Sequence, residues 1–220
     1  AWLIHRGYEA DLNGKAKALV AGVFLAEGKS LELALEKSDE FFSRTSLVYH
    51  QELAAMDKTD PRRVKALLGL GSGNPDLDRE LCDLMLKANV PDFLVIRKRL
   101  EPSKQRLIEG LAQKFKKADA DELLRLGGAI SFWDRDHPVL DSYLSQISDK
   151  LLVQNKLFLV EWAEVFWSVK EKLYPLLVSR IKNTEIESSQ RDFATGLCCE
   201  FSRSDSAQLF DLMEVSDPRN

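Results

Sequence analysis

Histidine and cysteine are scarce in this 220-residue chain, at three each, and neither type gathers in one place. His5, His50 and His137 stand far apart from one another and from the three cysteines, so no metal centre is expected. The odd cysteine count, with Cys198 and Cys199 adjacent and Cys82 alone, argues against a disulfide framework. It fits reduced thiols packed as small hydrophobes in the interior of a cell or organelle. A catalytic thiol needs a base to activate it, and none accompanies this pair. No catalytic residue and no cofactor is therefore expected.

Long apolar runs are also missing. The longest apolar-rich segment, Leu157 to Val169, is interrupted by Glu161, Glu164 and Ser168. It falls well short of the ~20 residues that span a bilayer, so no membrane insertion is expected. A net charge of −4 gives no global attraction to nucleic acid or to an anionic membrane. The glycine-rich stretch Gly69-Leu70-Gly71-Ser72-Gly73 has neither the preceding strand nor the following lysine of a phosphate loop, and reads as an inter-helix turn. No signal peptide is recognisable. The opening Ala1-Trp2-Leu3, without Met, reads as a processed mature form, such as one that has lost an organellar presequence, or as a fragment.

What the chain has is helical periodicity. Trp2 to Tyr49 reads as helix, with Ala16, Leu19, Val20, Val23 and Phe24 on one face, a break at Gly28, and Ser30 capping a second helix that carries Leu31, Leu35 and Phe42. Gly22 and Ala34, twelve apart, give this hairpin a tetratricopeptide-like pair of small residues. Asp57 to Pro61 is a turn or linker, which sets a boundary between an N-terminal helical region (1–57) and a helical-repeat array (58–220). Val64, Leu67, Leu68 and Leu70 form the next apolar face, and Asn74-Pro75 then opens a helix carrying Leu77, Leu81, Leu84 and Met85. Val90-Pro91-Asp92 and Lys117 to Asp121 read as further breaks.

Between Leu123 and Met213 one phrase is written three times. Phe132, Phe166 and Phe201 recur at intervals of 34 and 35 residues. Each has a small residue three positions earlier (Ala129, Ala163, Cys198) and a leucine seven or eight positions later (Leu140, Leu173, Leu209). Cap chemistry is expected in each internal turn, from Asp136 or His137, from Ser168 with Glu171, and from Ser204. Leu70 and Leu100 extend the pattern backward, spacing the anchors 30, 32, 34 and 35 apart. A unit of two short helices cannot bury its apolar face alone and must stack on its neighbours. The expected fold is all-α, an α-solenoid of about five to six helix-turn-helix repeats of 30–35 residues. The alternative is an irregular helical domain with coincidental leucine spacing.

The units Ala129 to Leu140, Ala163 to Leu173 and Cys198 to Leu209 resemble the degenerate helical repeats of the octotricopeptide and heptatricopeptide families and of FAST-kinase-like proteins that carry a RAP domain. The resemblance covers about residues 64–213, most clearly 123–213. It implies organellar RNA binding, RNA maturation, or a structural place in a mitochondrial or plastid ribosome.

One segment could contact RNA. Arg97, Lys98, Arg99, Lys104, Arg106, Lys114, Lys116 and Lys117 stand against Glu101 and Glu109, a local charge of +6, with Arg62, Arg63 and Lys65 as a possible extension. The same patch could instead balance acidic neighbours or meet an acidic protein. Phe132–Trp133, Phe166–Trp167 and Trp162 could stack on bases, but seam packing between units is favoured for most of these rings. The expected role is a non-enzymatic adaptor of an organellar ribonucleoprotein, in the first place a mitochondrial one, such as a ribosome or RNA-processing complex, contacting RNA and other protein subunits. The alternatives are a protein–protein scaffold with no RNA contact and a cytoplasmic location.

Overall fold

The structure is a computed structural model that describes residues 2–216, and the side chains of residues 9–210 and Leu212. The side chains of His5 and of Met213, the latter expected to close the third phrase, lie outside those described. The described chain is all-α, without a strand among its described residues. It packs as two compact units, Ala1–Gln105 and Arg106–Asn220. Residue 57, where the sequence places a boundary, lies in the connection between two helices that pack together, Phe42–Ala55 and Arg63–Leu70.

The first unit holds α1 (Trp2–Leu25), α2 (Lys29–Asp39), α3 (Phe42–Ala55), α4 (Arg63–Leu70), α5 (Pro75–Met85) and α6 (Val90–Leu100). Ala16, Val20 and Val23 form the buried stripe of α1, while Leu19 and Phe24 are only half-buried. Helix α1 packs on α2, α3 and α4, and α2 also meets α3, α4 and α6. Gly28, at φ 53°, turns the chain between α1 and α2. Ser30 does not cap α2; its hydroxyl donates to the Glu27 carbonyl at 2.7 Å and accepts from the Glu27 N–H at 3.0 Å.

Helix α2 is shorter than expected, because the chain breaks at Glu40–Phe41 and Phe42 opens α3 as a half-exposed residue. The Thr45 hydroxyl donates to the Ser38 carbonyl at 3.1 Å and so satisfies the end of α2 across the break. Asn74 caps α5 as expected, accepting from the N–H groups of Asp76 (3.0 Å) and Leu77 (3.4 Å). Val90-Pro91-Asp92 is the first turn of α6, not a break, since Asn89 caps it through the Asp92 N–H at 2.8 Å and Pro91 needs no N–H partner there.

Helix α7 (Lys104–Lys114) leads into the second unit, which holds α8 (Ala120–Trp133), α9 (Pro138–Leu151), α10 (Leu159–Val165), α11 (Lys170–Lys182), α12 (Ser188–Phe201) and α13 (Ser206–Ser216). Alternate helices pack in two rows: α8 on α10 on α12, and α9 on α11 on α13. Gly127 lets α8 come close, since a β-carbon there would lie 2.6 Å from Ile147 and 3.4 Å from Phe166.

The register of the repeated phrase differs from the expected one by a residue in its first copy. Trp133, Phe166 and Phe201 are buried, while Phe132 is 36% exposed. Counting eleven residues on from these three rings reaches Leu144, Leu177 and Leu212, all buried. The turn chemistry differs as well. His137 caps α9, accepting from the Val139 N–H at 3.3 Å. Asp205, not Ser204, caps α13, accepting from Ala207 and Gln208. Ser168 caps nothing; its hydroxyl donates to the Ser131 carbonyl at 2.7 Å. Phe166 and Leu100 are each followed by one 3-10 turn (Trp167–Val169, Glu101–Ser103) and then directly by a helix.

Candidate functional site

The eight cations expected to form one RNA-facing patch have different fates. Arg97 is buried at 4% exposure, with its guanidinium over the Phe93 ring at 5.6 Å. Lys98 and Arg99 lie on another face of α6, next to α2. Lys98 pairs with Glu32. Arg99 makes a two-pronged contact with Asp39 at 2.6 and 2.7 Å and also donates to the Leu68 carbonyl at 2.9 Å. A planar guanidinium matches a carboxylate in this way at better strength than a single ionic contact.

These pairs bridge a groove of about 500 Å³ between α2 and α6. Leu35, Phe42, Leu70 and Val95 line it with apolar surface, and Glu36 adds a third acid beside Glu32 and Asp39. Gly71, at φ 75°, carries the chain past the Arg99 guanidinium at the end of α4; a β-carbon there would lie 3.4 Å from it. Glu32 and Asp39, though not Glu36, therefore meet their cations within the chain.

Lys104 is half-buried and 3.9 Å from Glu101. Arg106, Lys114, Lys116 and Lys117 belong to the second unit and are exposed. The expected extension is tied down locally: Arg62 pairs with Asp60 at 2.7 Å, Arg63 with Glu80, and Lys65 donates to the Phe24 carbonyl at 2.9 Å. The contact with Arg63 holds the Glu80 carboxyl below the usual carboxylate range.

The aromatic rings divide similarly. Phe166 is buried and stacked on Trp162, with centroids 6.2 Å apart, and Phe201 is buried beside Trp167. Trp167 is 45% exposed, with the Lys170 ammonium 4.2 Å above its ring. Trp133 and Trp162 are packed inside, so of the tryptophans in the phrase only Trp167 offers a face to solvent.

Burial pushes the Cys198 thiol up to about 12, which leaves it protonated and inert near neutrality. Cys199 is exposed, and its thiol is also raised, first by partial burial and then by Glu200. No group of three or more His, Cys, Asp or Glu among the described residues could hold a metal ion. No helix among them is long and apolar enough to cross a membrane.

Sequence reasoning found the cations and missed their partners. Glu32, Glu36 and Asp39 recur at i, i+4 and i+7 along α2, and that acidic stripe was the available signal. No protein-family model, curated protein or solved structure matches the chain.

Proposed function

We propose that the protein is a non-enzymatic helical adaptor that binds other protein subunits, and that its second unit is a stack of the α-solenoid type. The two rows of alternate helices in residues 106–220 support the solenoid, because such stacking buries a continuous core between successive helix pairs and leaves their outer faces for partners. One observation favours protein over RNA as the partner. Arg97 is buried, and Lys98, Arg99 and Lys104 face Glu32, Asp39 and Glu101, so at least these four cations of the basic segment are engaged within the chain. Phosphate binding draws on cations that can release counterions from the nucleic acid.

An RNA contact is the second possibility, carried by the exposure of Arg106, Lys114, Lys116 and Lys117. The setting in an organellar ribonucleoprotein rests on the likeness of the repeated phrase to octotricopeptide and heptatricopeptide repeats.

Affinity capture of the full chain from native extract, with and without nuclease, tests the proposal. Stoichiometric protein partners that survive nuclease are expected; their loss would overturn the protein assignment. A filter-binding salt titration covers the RNA arm. Tight binding at low salt that disappears on Lys116→Glu with Lys117→Glu, but not on Arg99→Ala, would move the contact to RNA.

A further inference from the structure

Helix α2 has two open flanks, and their charges differ. On one flank Glu32 and Asp39 are met by Lys98 and Arg99 across the groove described above. On the other, α2 faces α1 across a second groove of about 370 Å³. Its walls are two helical stripes of the same spacing, i, i+3, i+4 and i+7: Lys15 to Gly22 on α1 and Ser30 to Lys37 on α2. The turn at Gly28 brings Lys15 and Lys37 to the same end, and the Lys15 ammonium lies 4.4 Å over the ring of Phe41, just beyond α2.

The floor of the groove is open. A β-carbon added at Gly22 would meet nothing within 4 Å, and Ala34 contributes a single methyl group. Gly22 and Ala34, a tetratricopeptide-like pair in sequence, therefore leave a trough here. Leu33 is 53% exposed and Leu19 half-buried, and together they supply apolar walls. Among the described residues no carboxylate lines the groove, so its two lysines are not answered by acids of those walls.

We propose that this groove docks an amphipathic helix of a protein partner, with an aliphatic ridge seated between Leu19 and Leu33 and carboxylates facing Lys15 and Lys37. The charge complement has to come from outside, and acidic side chains supply it. The occupant is a helix because the groove offers little to a bare backbone: the Ser30 hydroxyl is already engaged with Glu27 in both directions. A helix satisfies its own backbone and presents only side chains, a recurrent mode of peptide recognition. Nucleic acid fits less well, since no aromatic ring is among the described residues that line the groove, and Phe41 at its end is already covered by the Lys15 ammonium. The assignment names the partner's chemistry for the adaptor proposed above and rests on it.

A display library of amphipathic helices about four turns long, aliphatic on one face and randomised on both flanks, is selected against the full chain. Gly22→Leu, which fills the trough, and Lys15→Glu with Lys37→Glu, which reverses its charge, serve as controls. Melting followed by circular dichroism checks that both variants stay folded. The expected result is enrichment of acidic-flanked helices whose Kd rises about tenfold or more on either variant. Enrichment of basic or non-helical peptides, affinities unchanged by the variants, or no enrichment at all would overturn the assignment. So would displacement of the selected peptide by poly(U) RNA at physiological salt, or a dimer of the chain that is lost on Gly22→Leu. Nuclease-resistant partners retained by both variants would remove this groove from the adaptor role while leaving the adaptor itself intact.

Discussion

Gly69 lies so close to the ring of Tyr49 that a β-carbon there would overlap the ring's Cζ atom. The ring is fully buried, its hydroxyl is 2.9 Å from the Ser38 hydroxyl, and Phe24 meets it edge-on at 6.2 Å. Four helices of the first unit, α1 to α4, thus converge on one side chain. Burial pushes the Tyr49 phenol up, so it remains a neutral hydrogen-bonding group well above neutrality.

That convergence makes Gly69→Ala destabilising even though alanine is the better helix former by about 1 kcal/mol. The methyl group displaces the ring of Tyr49, and overpacking of this kind costs about 1–3 kcal/mol. Tyr49→Phe keeps the packing and strands the buried Ser38 hydroxyl, at about 1–2 kcal/mol. Urea unfolding of the full chain measures both. An unchanged midpoint for Gly69→Ala would show that the ring moves aside freely.

The Arg63–Glu80 pair predicts an acid-side loss of stability. Its hydrogen bonds depress the Glu80 carboxyl in the folded state, so the contribution is present above the ordinary carboxylate range and is lost as pH falls through the depressed value. Glu80→Gln removes that dependence. Urea midpoints at neutral pH and in acid are therefore expected to differ less for the variant than for the parent chain. Equal acid losses in the two would show that the pair contributes nothing.

Much of the helical order was legible because its signals are local. Asn74-Pro75 carries its cap chemistry in adjacent residues, and Gly28 marks its turn. The break between α2 and α3 was hidden, since Glu40-Phe41 carries neither glycine nor proline and is held by Thr45 reaching back to Ser38. The basic segment was equally visible as composition. The particular acids that meet Lys98 and Arg99 were not, because Asp39 and Arg99 are sixty residues apart and meet only through the packing of α2 on α6.

Those pairs separate structural cations from presented ones. Arg99→Ala is expected to cost about 1 kcal/mol, at the upper end for a pair this exposed because the contact is two-pronged. A double-mutant cycle with Asp39→Ala should return most of that as coupling. Lys116→Glu and Lys117→Glu should stay within about 0.5 kcal/mol of the parent chain. Matching losses at Arg99 and Lys117 would contradict the division.

The three thiols should respond unequally to a disulfide reagent. Cys199 is exposed, so one thiol is expected to react in the native chain, slowly at neutral pH because its thiolate is disfavoured, and faster as pH rises. Cys82 and Cys198 are buried and should react only in denaturant. A thiol that reacts rapidly at neutral pH would mean that one of these cysteines is activated, and would reopen nucleophilic chemistry.

The sharpest test of the repeat concerns two adjacent residues. Spacing alone aligns Phe132 with Phe166 and Phe201, but Trp133 is 5% exposed and fills the position that Phe166 occupies in the next copy. Trp133 also stands seven residues before buried Leu140, as Phe166 stands before buried Leu173. A helix presents adjacent residues about 100° apart, so only one of the pair can face the seam. Trp133→Ala and Phe166→Ala are expected to cost about 3–5 kcal/mol each, the range for deleting a buried aromatic ring. Phe132→Ala should cost under about 1 kcal/mol. Thermal or urea unfolding of the three variants decides the register, and an equal loss at Phe132 and Trp133 would sink it.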